Sequence, residues 1–172
     1  MKYAVYVGRF NPIHAGHTAV ADEMFRLHGF DGSLIVIGSS NAQSSLRHFF
    51  SYEERKNFLK KIFPEARIVG LPDYGNDQEW LSALDDILSA TGMKPEEVTF
   101  FGGCEEDLRF FGDTGRPCHI LNRFDGTTAK ISATEIRDAL ILGRSLEGMI
   151  HPAIADDLQT LFKDKWEKFK RT

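Results

Sequence analysis

Short apolar runs alternate with longer amphipathic stretches along this chain, and that alternation constrains the fold more than any other feature. Runs rich in β-branched or aromatic residues, typical of buried strands, cover residues 2–7, 33–37, 67–71, 98–101 and 118–121. Apolar residues at helical spacing cover residues 16–28, 51–64, 77–90, 132–142 and the segment from Pro152 onwards. No helix is predicted between residues 103 and 117. The expected fold class is α/β, a parallel sheet of about five strands with helices on both faces and a C-terminal helix.

The length of 172 residues suits one domain, so we expect a single domain over 1–172 whose C-terminal helical part starts near residue 145. With 42% hydrophobic and 27% charged residues, the chain is not of a disordered or low-complexity class. No apolar run approaches the roughly 18–20 residues of a membrane span, and the start of the chain is interrupted too soon for a secretory signal. Cys104 and Cys118 are too few for a disulfide framework. These features predict a cytoplasmic protein without a membrane partner.

The formal net charge of −4 argues against a general nucleic-acid binder, which would normally be basic. A small anionic substrate remains compatible with that charge if its basic contacts are concentrated in one place. Ligands of parallel α/β sheets bind beyond the carboxyl ends of the strands. The loops that follow the predicted strands are therefore the segments to examine for function.

The loop after the first predicted strand combines the features of a phosphate site. Gly8 allows a sharp turn, and His14 and His17 are spaced to lie on one face where the next helix starts. A helix N-terminus favours anions through its free N–H groups and its dipole, and Arg9 adds a guanidinium. Gly16, without a side chain, is expected to leave room for phosphate. The alternatives are an incidental histidine pair or a partial metal site, although zinc requires more ligands than this loop offers.

A second group of polar residues opens the helix near residue 132. Ser132 and Glu135 have the spacing of a capping box, Thr134 lies in the first turn, and Arg137 is about one turn further. Hydroxyls, a guanidinium and first-turn amides around one spot suit a polyphosphate. An ordinary capped helix with a surface arginine is the alternative interpretation.

Both segments resemble motifs of a known superfamily. Residues 8–17 (GRFNPIHAGH) resemble the His-x-Gly-His signature of nucleotidyltransferases with a Rossmann-like fold, and residues 131–137 (ISATEIR) resemble their second signature, Ile-Ser-x-Thr-x-x-Arg. The resemblance implies that His14, His17 and Arg137 are catalytic. It also implies the following ATP-binding residues: Gly8, Arg9, Phe10, His14, Gly16, His17, Gly102, Gly103, Ser132, Thr134 and Arg137.

Further stretches are similar to archaeal-type nicotinamide-nucleotide adenylyltransferases. They are the loop around Arg47 with residues 50–55 (FSYEER), and Asp73 followed seven residues later by Trp80. This resemblance implies that Arg47, Asp73 and Trp80 bind nicotinamide mononucleotide (NMN), with Arg47 on its phosphate and Trp80 stacked on its ring. Phe49 stands where that family usually has a proline, and Trp80 could instead be a core residue.

The reaction that the resemblance implies is ATP plus NMN giving NAD and pyrophosphate. The NMN phosphate is already an anion, so in-line attack on the α-phosphorus of ATP needs no general base. His14 and His17 are expected to hold phosphate oxygens, with His17 most important at the transition state. Arg137, Ser132 and Thr134 would hold the triphosphate. Mg²⁺ is the expected cofactor, bridging phosphate oxygens largely through water rather than in a carboxylate cage.

Several alternatives stay open at this point. The acceptor could be nicotinic acid mononucleotide, FMN, phosphopantetheine or an alcohol phosphate, and the chain could be a module that senses NAD or ATP without turnover. A homo-oligomer is also compatible with the sequence. Residues 124–130 form a longer segment than is usual before the second signature and are a candidate for a mobile flap.

Overall fold

A computed structural model describes residues 1–121 and 131–172. Its centre is a five-stranded sheet in the order β3-β2-β1-β4-β5, and every pairing is parallel. The strands are β1 (Tyr3–Gly8), β2 (Gly32–Ile37), β3 (Ile68–Gly70), β4 (Val98–Gly102) and β5 (Cys118–Ile120). The predicted α/β class is confirmed. The candidate flap over residues 124–130 lies outside the described residues.

The order of the strands determines where a ligand can enter. From β1 the chain moves outwards to β2 and β3, and it then returns to place β4 on the other side of β1. Tyr3 is in register with Gly32 of β2 and with Val98 of β4, so these three strands run side by side. The loops after β1 and β4 diverge from this reversal point, which is where parallel sheets of this kind bind ligands.

The predicted helices are present, with small differences at their ends. They are α1 (Ala15–Arg26), α2 (Tyr52–Ile62), α3 (Asp77–Ala90), α5 (Ala133–Leu142) and α6 (Pro152–Phe169). The structure adds a helix that was not predicted, α4 (Glu105–Asp113), and a 3-10 turn at Pro95–Glu97. Ser51 and Glu54 form the predicted capping box at α2. At α5 the predicted capping box forms by half: the Ser132 hydroxyl accepts a hydrogen bond from the Glu135 amide, and no return bond from the Glu135 side chain is present among the described residues.

The helix α4 is the element that the sequence analysis missed. This helix has 9 residues and a narrow apolar face, with Leu108 and Phe111 as its buried residues. Two parallel neighbouring strands require a crossover, so a helix between β4 and β5 follows from the predicted parallel sheet itself. Three acidic residues in the first turn, where the helix dipole favours them, were the overlooked local signal.

Apolar residues pack against both faces of the sheet. One cluster joins α1, α2, α5 and α6 to one face, and the other joins α3 and α4 to the opposite face. Phe49, which departs from the family pattern, is 1% exposed and packs against Phe162, Trp166 and Phe169 of α6. That side chain therefore anchors the end of the Arg47 loop to the C-terminal helix. Within residues 1–121 and 131–172, no helix is long and apolar enough to cross a membrane.

Candidate active site

A cavity of about 1090 Å³ opens at the carboxyl ends of the central strands. Its size is slightly above the roughly 300–1,000 Å³ typical of ligand pockets. Most of the predicted site residues line it: Gly8, Arg9, Phe10, His14, His17, Arg47, Asp73, Trp80, Gly102, Ser132, Thr134 and Arg137. The two signatures and the Arg47 loop thus meet in one place. Gly16 and Gly103 are not among the lining residues.

The imidazoles of His14 and His17 are stacked at the start of α1, with ring centroids 3.8 Å apart. The Nδ1 atom of His14 accepts a hydrogen bond from the Gly16 amide at 3.1 Å. The Nδ1 atom of His17 accepts one from the His14 amide at 3.2 Å. Because a neutral imidazole carries one proton, each ring must carry it on Nε2. Both histidines can therefore act as Nε2–H donors.

The backbone amides of this helix start are already used, which corrects the expectation that they are free for an anion. Besides the two amides bonded to imidazoles, the Ala15 amide donates to the Met149 carbonyl at 2.8 Å. The His17 and Thr18 amides both donate to the carbonyl of His14, at 2.9 and 3.0 Å. The two histidines cap the helix as Ser and Glu do elsewhere. Donation to a phosphate from the start of α1 consequently falls to side chains.

The glycines of the first loop serve the packing of neighbouring rings. A Cβ at Gly16 would lie 2.9 Å from Cε1 of His14, and one at Gly8 would lie 2.9 Å from Cζ of Phe10. The Phe10 ring in turn packs edge-on against His17, with centroids 5.0 Å apart. Gly16 thus makes room for the capping imidazole rather than for phosphate, contrary to the expectation from sequence.

Arg137 is held at the cavity wall by two acceptors. Its Nη1 donates to the carbonyl of Asn11 at 3.0 Å, and its Nη2 donates to Oγ1 of Thr134 at 3.2 Å. The guanidinium therefore links the second signature to the first loop. Its remaining N–H groups are available to a ligand in the cavity.

Asp73 and the loop after β2 form the opposite wall. The Ser39 hydroxyl donates to Oδ1 of Asp73 at 2.9 Å, and the Asp73 amide donates to Oδ1 of Asn41 at 2.8 Å. Arg47 lies in the same loop and is exposed. The predicted residues Arg47 and Asp73 are thereby brought to the same side of the cavity.

Trp80 lies in the first turns of α3, half-buried, between this cavity and a second one of about 570 Å³. Its indole packs edge-on against Phe110, with centroids 5.6 Å apart. The second cavity also contains the carboxylates of Asp73, Asp77 and Asp107. Among its described lining residues there is no lysine, arginine or histidine. Trp80 has both the packing contacts of a core residue and an accessible face.

Residues 5–139, well over half of the chain, match the family model described as Cytidylyltransferase-like. The chain belongs to the cytidylyltransferase-like family. This confirms the resemblance to nucleotidyltransferases that the two signatures indicated.

Individual members of the family extend the comparison. The nicotinamide-nucleotide adenylyltransferase of Pyrococcus furiosus is 26% identical over 169 residues, covering 94% of this chain and 85% of its own. The phosphopantetheine adenylyltransferase of Christiangramia forsetii is 27% identical over 158 residues, covering 87% and 95%. A solved structure of a bifunctional NMN adenylyltransferase/ADP ribose pyrophosphatase from Francisella tularensis has a TM-score of 0.77 at 20% identity. The shared fold covers 95% of the present chain and 50% of the Francisella tularensis chain.

The cations of this cytidylyltransferase-like site are its arginines. Burial lowers the pKa of Arg9, and the nearby Arg47 lowers it further, while Asp73 raises it. Burial also lowers the pKa of Arg137, and repulsion from Arg9 and Arg47 lowers this pKa further. The guanidinium groups are thus close enough to repel one another. An anion bound among them relieves that repulsion, which makes the cluster suited to a polyphosphate.

The histidines, in contrast, are neutral at pH 7. Burial lowers the pKa of His14 to about 4. Burial, followed by the proximity of His14, holds the pKa of His17 well below its usual range. The two imidazoles consequently offer hydrogen bonds rather than positive charge.

Asp107 and Asn11 are among the lining residues that the sequence analysis missed. Asp107 lies in the first turn of α4, the helix that was not predicted. Asn11 ties the first loop to the segment just before α2, because its side chain exchanges two hydrogen bonds with the backbone of Phe50, at 2.9 and 3.1 Å. Asn11 lies inside the first signature, residues 8–17, and this position could have indicated its role from the sequence. Gly102 lines the cavity, and a Cβ there would lie 2.6 Å from Cγ of Leu108, so this glycine lets α4 pack closely on β4.

The neutrality of His14 leads to a prediction about stability. An unfolded histidine binds a proton near pH 6.5, whereas folded His14 does so only near pH 4, so its contribution to stability is lost as the pH falls between these values. His14→Asn preserves a side-chain acceptor for the Gly16 amide but does not titrate. Between pH 7 and pH 5 we expect wild type to lose about 2 kcal/mol more of its unfolding free energy than the variant.

Urea unfolding at the two pH values measures this difference. His28→Asn, which removes an exposed histidine beyond the end of α1, controls for the loss of an imidazole. Equal losses in wild type and His14→Asn would show that folded His14 binds its proton as readily as it does in the unfolded chain, and would contradict the prediction.

Proposed function

We propose that this protein transfers the AMP moiety of ATP to NMN, giving NAD and pyrophosphate. One observation supports this proposal above the others. The cavity that contains the two Nε2–H donors and the three arginines also has Trp80 in its wall, and beyond the indole lies an aromatic recess lined by carboxylates. A polyphosphate and a flat cationic ring can therefore bind side by side. The similarity to the Pyrococcus furiosus protein named nicotinamide-nucleotide adenylyltransferase points to the same reaction.

The triphosphate of ATP would lie between the starts of α1 and α5. His14 and His17 donate from Nε2 on one side, and Arg137 donates from the other. Ser132 and Thr134 place the first turn of α5 at the same wall, where a helix leaves amides without intrahelical partners. Gly102 at the end of β4 lets the nucleoside approach the backbone.

Bond formation needs positioning and charge stabilisation rather than a base. A phosphate oxygen of NMN attacks the α-phosphorus of ATP, the bond from that phosphorus to the oxygen bridging the α- and β-phosphates breaks, and pyrophosphate leaves with the electron pair. No proton has to be removed from the nucleophile. Neutral His14 and His17 fit this chemistry because they donate hydrogen bonds to oxygens whose charge grows in the transition state. Arg9 and Arg47 would hold the two reacting phosphates against each other.

The ring of the substrate that accepts AMP is the feature that separates NMN from the alternative substrates. Trp80 offers an aromatic face to an electron-poor pyridinium, and the recess behind it has the carboxylates of Asp73, Asp77 and Asp107. Nicotinic acid mononucleotide would bring a further carboxylate into this recess, where it would be repelled. The neutral carboxamide of NMN avoids that repulsion. Phosphopantetheine has no ring for Trp80 to stack on.

The cation that accompanies ATP would be Mg²⁺, bound by phosphate oxygens and water. Among the described residues, no group of three or more His, Cys, Asp or Glu is arranged to hold a metal. Asp73 and Asp107 are the carboxylates of the cavity wall, and they fit an ion that arrives with its nucleotide rather than one held in a protein cage. Such an ion would neutralise part of the triphosphate charge.

The direct test compares phosphate acceptors. The protein is incubated with ATP and Mg²⁺ plus NMN, nicotinic acid mononucleotide, FMN or phosphopantetheine, and both pyrophosphate and the adenylylated product are measured. We expect NAD formation from NMN with the highest kcat/KM. Faster turnover of another acceptor would reassign the substrate, as the Christiangramia forsetii relative makes conceivable for phosphopantetheine. Tight NAD binding without pyrophosphate release would indicate a sensor.

The assignment of Trp80 leads to a prediction for the acceptor alone. Because stacking of a base on an aromatic side chain contributes about 1–3 kcal/mol, Trp80→Leu should raise the KM for NMN by about tenfold or more and leave the KM for ATP nearly unchanged. Steady-state kinetics with each substrate varied in turn measures both constants. Phe63→Leu is the control for loss of an aromatic side chain, since Phe63 packs against Phe25 and lines neither cavity. An unchanged KM for NMN in Trp80→Leu would assign Trp80 to packing only.

A further inference from the structure

Arg55, on α2, is a buried cation that the proposed reaction leaves unexplained. It is 2% exposed and is among the largest fully buried side chains. Its guanidinium does not line either cavity described above. Among the described residues, no carboxylate lies within 4.0 Å of it. A buried charge without an ion pair is costly, so its hydrogen bonds must serve a specific arrangement.

Those hydrogen bonds go to the backbone of the two loops that build the cavity. Nη1 donates to the carbonyls of Arg9 and Gly38, each at 2.8 Å. Nη2 donates to the carbonyl of Ser39 at 3.1 Å, and Nε donates to the carbonyl of Ser51 in its own helix at 3.2 Å. One side chain thus bridges the loop after β1, the loop after β2 and the start of α2.

The backbone at these acceptors is strained. Ser39, whose carbonyl Arg55 binds, has a φ of 49°, and Phe10, which follows Arg9, has a φ of 51°. Residues other than glycine rarely adopt this left-handed conformation, and it persists where surrounding contacts impose it. Ser39 also donates its hydroxyl to Asp73 at 2.9 Å. The strain therefore lies next to Arg9 and Asp73, the residues that face the phosphates and the acceptor.

We propose that Arg55 is a positioning residue. It holds the loops after β1 and β2 in the geometry that the proposed AMP transfer requires. It touches no substrate in this proposal and acts through the carbonyls of Arg9, Gly38 and Ser39. The catalytic part of the inference rests on the proposed function, whereas the effect on loop geometry does not. The tests separate the two.

The first test needs no substrate. Arg55→Lys keeps the charge but cannot reach the carbonyls of both loops, and Arg55→Gln removes the charge and its desolvation cost in case the lysine variant fails to fold. Arg116→Lys is the control, because Arg116 is a partly buried arginine paired with Asp85 at 2.6 and 2.7 Å outside both cavities. Hydrogen exchange is measured on ligand-free protein.

The reporter amides are those of Gly38, which donates to Gly8 at 2.8 Å, and Ser40, which donates to Leu71 at 3.1 Å. In either Arg55 variant we expect their protection to fall by about tenfold or more, with α3 and β4 unaffected. Unchanged protection at both amides would overturn the proposal, whatever the reaction of the protein is. If wild type forms no NAD but this result is obtained, the proposed function fails and the loop geometry stands.

The second test asks whether the loops matter for turnover. We expect kcat for NAD formation to fall by about 100-fold in the Arg55 variants at a temperature where they are folded, because small displacements of reacting groups have effects of that size. Arg116→Lys should lose stability but keep the wild-type kcat. If kcat fell equally in the Arg55 variants and in Arg116→Lys, Arg55 would act only through global stability, and the positioning role would be refuted.

A double-mutant cycle gives the sharpest readout. If Arg55 keeps the Arg47 loop in place, Arg47→Ala should cost about tenfold less in the Arg55→Lys background than in wild type. A purely structural role for Arg55 predicts additive losses instead. Additivity together with unchanged hydrogen exchange would refute the positioning role.

Discussion

Replacing His17 should lower kcat for NAD formation by about 100-fold or more without unfolding the protein, because in the proposed function it removes the Nε2–H donor that stabilises developing charge on phosphate. The structure allows this effect to be separated from helix capping. When asparagine replaces a histidine, its side-chain oxygen takes the place of the Nδ1 acceptor. When glutamine replaces a histidine, its amide nitrogen takes the place of the Nε2 donor. His17→Asn therefore keeps an acceptor for the His14 amide while it loses the donor. Turnover at saturating ATP and NMN is the measurement.

Three variants give an ordered expectation. His17→Ala and His17→Asn should both be severely slowed, although only the alanine variant loses the cap and its share of stability. His17→Gln should retain more activity than His17→Asn, since its amide nitrogen reaches towards the cavity. Unfolding by urea, monitored by circular dichroism, controls for stability. Turnover near the wild-type value in His17→Asn would remove His17 from the reaction.

Features that depend on neighbouring residues were predictable from the sequence. The five strands, the capping role of Ser51 and the start of α3 at Asp77 all follow from local apolar patterns and capping residues. The convergence of residues 8–17 and 131–137 on one cavity was also predictable, because both precede or start helices at the ligand-binding edge of a parallel sheet. Few long-range contacts had to be known for these expectations.

Features that depend on long-range contacts were not predictable in the same way. Arg55 lies in an ordinary-looking helix, and only the fold shows that its acceptors are the carbonyls of Arg9, Gly38 and Ser39. The Ala15 amide is unavailable to an anion because Met149, which is distant in sequence, accepts its hydrogen bond. Spacing along the chain contains no information about such partners.

The charge of the site illustrates the same limit. A formal net charge of −4 describes the whole chain, whereas the cavity gathers Arg9, Arg47 and Arg137 from three separate segments. The sequence analysis expected basic contacts to be concentrated locally, and the fold brings them together. It also places His14 and His17 where burial keeps them neutral, which no spacing argument indicates. Positive charge and hydrogen-bond donation are thus supplied by different residues.

Loss of the Arg137 guanidinium should be as damaging as loss of His17. Arg137→Met removes the cation that we propose to face the triphosphate, and we expect kcat/KM for ATP to fall by about 100- to 1,000-fold, equivalent to about 3–4 kcal/mol of transition-state stabilisation. Arg137→Lys should recover only part of this loss, because one ammonium nitrogen cannot reproduce the forked geometry in which Nη1 donates to Asn11 and Nη2 donates to Thr134. Kinetics with ATP varied at saturating NMN measures the change, and a loss below tenfold in Arg137→Met would contradict the assignment.

Thr134 decides how the guanidinium acts, because its hydroxyl oxygen accepts from Nη2 of Arg137 at 3.2 Å. If Thr134 works by orienting Arg137, Thr134→Val should slow the wild-type enzyme but have almost no effect in the Arg137→Met background. If Thr134 instead binds the triphosphate directly, the two losses should add. The Asn11 carbonyl remains available to Arg137 in the valine variant, so we expect the single loss from Thr134→Val to be smaller than that from Arg137→Met. The cycle thereby distinguishes one polyphosphate contact, oriented by a neighbour, from two independent contacts.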